Sequence, residues 1–246
     1  MAVTTSVTTF NPTLNEIFEE AFERCGQEMR SGYDFRTARR SLNFLLGEWA
    51  NRGINLWTIE QGSINLAQGV TTYDLPNDTV DLLEHVIRTD SGQGPNQTDL
   101  NITRISVSTY STIPNKLAQG RPIQVWVNRQ SGQTTDLLGA TPAYPQINVW
   151  PAPDQGTTLQ PYYVFYYWRL KRIFDAGSGI NVPDIPFRFQ NCLVAGLAYM
   201  LSMKLKDVVP DRVLALKSQY DEAWDLAAGE DREKAADRLV PREMFF

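Results

Sequence analysis

The 246-residue chain is poor in the residues that most often carry chemistry. It has a single histidine, His85, and two cysteines, Cys25 and Cys192, far apart in sequence. A tetrahedral zinc site needs several soft or imidazole ligands converging on one centre, so a structural zinc site is not expected. The same scarcity opposes a Ser–His–Asp or Cys–His nucleophile, which needs a general base beside it. No GxSxG elbow, GxxxxGK[ST] phosphate loop or GxGxxG dinucleotide loop occurs. Carboxylates remain as the only acid–base candidates. Glu19 and Glu20, or Asp221 and Glu222, are adjacent on expected helices and so do not share a face. No catalytic residue, cofactor or metal ligand is therefore assigned.

Long apolar runs and positive charge are lacking too. The longest uncharged apolar block, Cys192 to Leu201, is too short for a bilayer. The opening MAVTTSVTTF has neither the basic nor the apolar region of a secretory signal, so none is expected. The formal net charge of −5 opposes non-specific grip on polyphosphate. Two buried, reduced thiols are the expected state of the cysteines. Hydrophobic residues at 42% and charged residues at 21% leave ample material for a core.

The residues that are present organise themselves by period. Thr13-Leu14-Asn15-Glu16 fits a capping box, and Leu14, Ile17, Phe18, Ala21, Phe22 and Cys25 then recur at helical spacing. A second helix is expected after Asp34, with Phe35, Ala38, Leu42, Leu45, Leu46 and Trp49 inward, paired with the first as an antiparallel hairpin. From Trp57 the period becomes two, with a turn expected at Gln61-Gly62-Ser63. Strands are expected at Leu82–Arg88, Ile123–Arg129, Gln146–Trp150 and Tyr162–Ile173, and a short helix at Val107–Tyr110. His85 is expected to be an ordinary, partly exposed strand residue. The polar stretch from Ser91 to Asn101 is expected to be an exposed, mobile loop that folding does not need. Pro186 marks the start of a helix, Phe187 to Leu205, that is apolar on nearly every side. After Val208-Val209-Pro210 a last helix carries Val213, Leu216, Tyr220, Ala223 and Trp224 as a stripe.

The expected fold is α+β: a four-helix bundle, two N-terminal and two C-terminal helices, with an inserted antiparallel β-rich subdomain and an extended C-terminal tail. The boundaries are 1–54 for the first hairpin, 55–175 for the insertion, 176–235 for the closing helices and 236–246 for the tail. Within the insertion, six of the seven residues from Tyr162 to Trp168 are aromatic, and Arg169, Lys171 and Arg172 follow. A stacking platform for bases would need exposed rings in a basic groove. Here both alternating faces are large, Tyr163, Phe165 and Tyr167 on one and Tyr162, Val164, Tyr166 and Trp168 on the other. A strand apolar on both faces is covered on both, by the core on one side and by helices or a neighbouring subunit on the other. The following basic residues are taken as protection of a strand edge. Tyr162, Tyr166, Trp168, Tyr220 and Trp224 are the candidates for a subunit boundary.

The stretches VTTYDLPNDTVDLLEHVIR, RPIQVWVNRQ, INVWPAPD and YYVFYYWRLKRIFDAG resemble the head-to-tail adaptor proteins of short-tailed bacteriophages, also called connector or tail tubular A-like proteins. The similarity continues through VPDIPFRFQNCLVAGLAYMLSMKL and DRVLALKSQYDEAWDLAAGEDRE, covering about residues 13 to 242. It implies a homo-oligomeric ring, commonly of twelve copies, docked beneath the capsid portal protein and offering its far side to a tail nozzle or hub protein. Such a ring sits at the head–tail interface of a virion assembled in the host cytoplasm, with no membrane involved. Double-stranded DNA passes through it without sequence-specific binding. The resemblance also implies that the C-terminal segment reaches the portal, which makes Leu239, Val240, Met244, Phe245 and Phe246 the docking candidates. A virion-associated cell-wall hydrolase and a DNA-binding regulator are the alternatives. The first predicts two essential carboxylates and the second a basic face.

Overall fold

The computed structural model describes residues 10–30, 32–53, 56–90, 95–129, 144–173, 175 and 177–231. These residues form two compact units. One is helical, built from the chain up to Trp57 and again from Ile173; the other is the β-rich segment Thr58–Arg172.

The helical unit begins at α1, Leu14–Cys25. Its capping box is formed: the Thr13 backbone N–H donates to Glu16 Oε2 at 2.6 Å, and the Glu16 N–H donates to Thr13 Oγ1. The next donors of this first turn are met by the loop before the fourth helix, through Leu14 N–H to Asn181 O and Asn15 N–H to Gly179 O, both 2.9 Å. A helix start buried against a loop needs such partners, because its first amides have none of their own. Gly26, at φ 79°, closes α1 in the left-handed region that glycine tolerates.

The second helix, α2, runs Gly32–Arg52, three residues ahead of the expected start, with Ala38, Leu42, Leu45, Leu46 and Trp49 buried. Helix α4 (Phe187–Ser202) follows Pro186, and α5 (Pro210–Glu230) places its proline in the first turn, where a missing N–H breaks no bond. Helices α1, α2 and α5 all pack on α4, and the four share one apolar cluster. The fold is α+β as expected, and α4 is the helix that meets the other three within the shared apolar cluster. Close approach at the centre depends on Gly196, where a Cβ would stand 2.8 Å from the Tyr220 ring and 3.0 Å from the Leu45 methyls. Arg39 and Asn43 of α2 hold the Asp175 carboxylate, accepting at 2.7 Å from Arg39 Nε and 2.6 Å from Asn43 Nδ2. Their donation, led by Arg39, keeps that carboxyl below its usual range. Both cysteines are free and buried in this core, as expected.

The β-rich unit contains two four-stranded sheets. Strands β1 (Ile59–Leu66), β3 (Thr79–Arg88), β4 (Asp99–Asn101) and β8 (Tyr163–Lys171) form the first, in the order β1-β8-β3-β4, all antiparallel. Strands β2 (Thr72–Asp74), β5 (Thr103–Arg104), β6 (Gln124–Asn128) and β7 (Gln146–Trp150) form the second, in the order β2-β7-β6-β5, with only β5 and β6 parallel. The helix α3, Val107–Ser111, joins β5 to the β6 strand's side of the unit. Leu66, Leu82, Ile87, Tyr163, Phe165 and Tyr167 of the first sheet share one core with Val125, Val127, Ile147 and Val149 of the second. The sheets therefore face each other as a sandwich.

Three expectations change here. No turn interrupts Gln61-Gly62-Ser63: β1 is continuous, because Gly62 lies opposite Tyr167 and its missing side chain leaves space for that ring. The segment from Ser91 is not loop throughout, since Asp99–Asn101 pairs with β3 and Arg88 Nε bonds Asp99 at 2.6 Å. Residues 91–94 lie outside the described set. Finally, Arg169 guards no edge. β8 is a central strand, and Arg169 is buried on its inner side, donating to Glu60 and Asp78 at 2.5 Å and to Thr79 Oγ1 at 3.0 Å. A buried guanidinium needs such a set of acceptors to offset its lost hydration.

Candidate functional site

Among the described residues no three His, Cys, Asp or Glu side chains cluster as metal ligands would. No described helix is long and apolar enough to cross a membrane. His85 sits on the inner side of β3, stacked on Phe165 with ring centroids 5.8 Å apart. Neither ring nitrogen has a hydrogen-bond partner among the described residues, although the Ile102 carbonyl lies nearby. Burial, aided by Arg104, pushes its pKa down, so the neutral imidazole behaves as a core aromatic. His85 is thus the partly exposed strand residue that was expected, with its ring turned toward Phe165.

The aromatic strand divides as its alternation requires. Tyr163, Phe165 and Tyr167 are buried between the sheets, so no base could stack on them. Tyr166 and Trp168 lie half-buried on the outer face of the first sheet, with Arg88 over the Tyr166 ring at 4.3 Å. Their cross-strand neighbours are Ser63 and Gln61 on β1 and Val86 and Glu84 on β3. The outer face thus carries two rings flanked by polar residues on β1 and by Val86 and Glu84 on β3. Tyr162 lies just before β8, 36% exposed, with its ring edge-on to Tyr163.

Tyr220 and Trp224 belong to the helical unit and are already engaged there. Tyr220 is 3% exposed, accepts from Trp49 Nε1 at 2.9 Å and lies under the Arg52 guanidinium at 5.0 Å. Arg52 also covers the half-buried Trp224 ring at 4.6 Å. Burial pushes the Tyr220 phenol up to about 12. Of the five boundary candidates, Tyr220 is therefore turned inward, because the α5 stripe that carries it is the face packed on α4. The docking candidates Leu239, Val240, Met244, Phe245 and Phe246 lie outside the described residues.

A groove that the sequence reading passed over runs between α1 and α4, with a volume of about 580 Å³. One wall is the α4 row Phe187, Gln190, Asn191 and Val194, spaced three, four and seven residues apart along one helix side. The other is the α1 row Glu16, Ile17, Glu20 and Arg24, with Phe10 and Pro12 at the end. Phe187 is 76% exposed and Phe10 67%. The Gln190 amide donates to the Phe10 carbonyl at 3.2 Å, whereas its own oxygen is buried with no partner among the described residues. Arg188, at the same mouth, donates through Nε at 2.9 Å to Asp231, the residue that caps α5. The Asp231 side chain is only 3% exposed and also accepts from the Leu56 N–H at 2.9 Å. The clue in the sequence was Phe187, which stands one turn before the fully buried stretch and has no inward position to take.

No curated protein matches the chain. Residues 12–242, nearly the whole of it, match the SU10 adaptor proteins, and the chain belongs to that family of phage adaptors.

Proposed function

We propose that this protein is the subunit of a head-to-tail adaptor ring that joins the capsid portal to the tail nozzle and extends the DNA channel for genome retention and ejection. The observation that carries the reading is the family match over residues 12–242, which spans both the helical unit and the β-rich unit. In this reading the helical bundle is the ring body. Its surface suits heterologous contact, in which one face of a copy meets a different face of the next. Tyr33 and Phe44 of α2 and Leu214 and Leu226 of α5 are all more than 60% exposed, so two different helices present large apolar side chains. The half-buried Tyr166 and Trp168 on the outer sheet face offer a further contact, as do the exposed Tyr162 of the β-rich unit and the half-buried Trp224 of the helical unit.

The tail from Leu239 to Phe246 is the proposed portal anchor. Buried aromatic side chains at an interface commonly supply ~2 kcal/mol or more each, and Phe245 and Phe246 are the candidates. A net charge of −5 suits a conduit through which DNA passes without being gripped. Native mass spectrometry of the protein alone and mixed with portal rings tests the reading. Twelve copies of a 27.9 kDa subunit would add roughly 335 kDa to the ring. A gain of one or two subunits would refute it. Two essential carboxylates whose loss abolishes cell-wall lysis, with assembly intact, would replace it with the hydrolase reading.

A further inference from the structure

We propose that the groove between α1 and α4 is a seat for the chain's own C-terminal segment, with Met244, Phe245 and Phe246 lying between Phe187 and Ile17. The segment's point of departure argues for it. The described chain ends at Asp231, which is clamped to Arg188, and Arg188 is itself part of the groove mouth. The remaining residues, 232–246, thus start at the first turn of α4.

Reach is ample. An extended segment of this length spans about 50 Å, whereas the α4 wall from Phe187 to Val194 rises only about 10 Å. Composition matches as well. The last eight residues, LVPREMFF, include Leu239, Val240, Met244, Phe245 and Phe246, and the groove exposes Phe10 and Phe187 above the buried Ile17 to receive them. Residues 1–9, which precede Phe10 in the chain, read MAVTTSVTT and hold no aromatic side chain.

Charge agrees in detail. Arg24 and Arg188 are each neutralised, by Glu20 at 2.8 Å and by Asp231. Glu16 leaves a further carboxylate along the α1 wall, opposite a segment that brings Arg238 and Arg242 against Glu243. The unpaired Gln190 oxygen supplies an acceptor that a seated backbone N–H would satisfy. Tethering makes modest affinity sufficient. A short linker presents the segment at an effective concentration on the order of millimolar, so a seat of about 0.1 mM intrinsic affinity would be roughly nine-tenths filled.

The test uses the full chain and trypsin, which cuts after Arg242. Phe187→Glu places a charge at a position 76% exposed, so folding is unaffected, and far-UV circular dichroism and the melting midpoint check that. If the seat exists, Phe187→Glu raises the rate of cleavage after Arg242 about tenfold, the converse of nine-tenths occupancy. The double change Phe245→Ser/Phe246→Ser does the same without touching the groove. Equal rates in all three proteins overturn the proposal. So does protection that grows with protein concentration from about 1 to about 100 µM, because the seat would then hold a neighbour's segment. Protection lost on deleting residues 1–9 but kept in Phe245→Ser/Phe246→Ser would assign the groove to the N-terminal segment and overturn it too. One consequence rests on the portal reading: a freed tail should join portal rings faster in Phe187→Glu. Failure of portal capture leaves the trypsin rates as they are, so the two ideas fail separately.

Discussion

Tyr220 carries the sharpest stability prediction. Its hydroxyl is the acceptor for Trp49 Nε1 at 2.9 Å, and the donor belongs to a side chain with no exposed surface. Tyr220→Phe removes that acceptor and adds almost no cavity. The Trp49 N–H is then a buried donor without a partner, which costs about 1–3 kcal/mol. Lost polarisation toward Arg52, whose guanidinium sits 5.0 Å from the ring centroid, is a smaller effect because the ring itself remains. The expected destabilisation is therefore about 2 kcal/mol. Trp49→Phe removes the donor but leaves a cavity among Phe189 and Trp224, whose rings stand 5.5 Å from it, and should cost about 2–3 kcal/mol. In the double variant the orphaned donor no longer exists, so the two costs should fall short of additivity by about 1–2 kcal/mol.

The assay is urea unfolding followed at 222 nm, where the long helices of the helical unit dominate the signal. The midpoint should fall while the slope is unchanged, since the surface exposed on unfolding is the same. A Tyr220→Phe protein within about 0.3 kcal/mol of the parent would refute the reasoning. If that variant were stable but unable to form rings, Tyr220 would return to the subunit boundary.

Three further outcomes follow from single environments. Gly62→Ala places a Cβ inside the Tyr167 ring's packing distance, so the sandwich should lose about 1–3 kcal/mol, read as earlier hydrogen exchange in β1 and β8. The neutral state of His85 is favoured by burial, so its contribution to stability is whole above pH 6.5 and declines as pH falls below that value, when the unfolded chain takes up the proton first. His85→Phe should flatten this acid limb in the pH dependence of the β-rich unit's melting; an unchanged slope would place the imidazole in water. At the alkaline end, burial pushes Cys25 up to about 11 and Cys192 up to about 12, from an ordinary value of 9.0. Both thiols, with Tyr220, therefore stabilise the helical unit fully below pH 9 and lose that contribution as pH rises towards 12; Cys192→Ala should reduce the slope there.

The periodic parts of this fold were legible in the chain. The α1 stripe, the capping box, β7 at Gln146–Trp150 and the break before α5 at Val208-Val209-Pro210 all follow from local rules that tertiary packing reinforces. The division of the strands into two sheets was not legible, because which strands pair is decided by long-range register. Gly62 shows why. As a local signal Gln61-Gly62-Ser63 is a turn, yet the decisive partner is Tyr167, more than a hundred positions away. Arg169 was misread for the same reason: only its distant partners Glu60 and Asp78 turn a charge after an aromatic run into a buried ionic cluster. Tyr220 was a candidate for a subunit boundary, and its place inside the helical unit depends on the space that the distant Gly196 leaves for its ring.

The aromatic strand illustrates how composition and placement jointly limit function. Had Tyr163, Phe165 and Tyr167 faced solvent in a basic groove, base stacking would have been the better reading. Instead they fill the interior between two sheets, and the only buried cation on the strand, Arg169, is bound by two carboxylates. On the outer face Tyr166 is partly covered by Arg88, which Asp99 in turn holds at 2.6 Å, so the nearest cation is already committed to a protein anion. A phosphate backbone approaching this face would have to displace Asp99, whereas a neutral protein surface would simply cover Tyr166 and Trp168. The outer face is therefore better suited to another protein than to DNA, and under the proposed ring function exchanging Tyr166 and Trp168 for serine should weaken ring formation while leaving DNA retention by any rings that assemble unaffected.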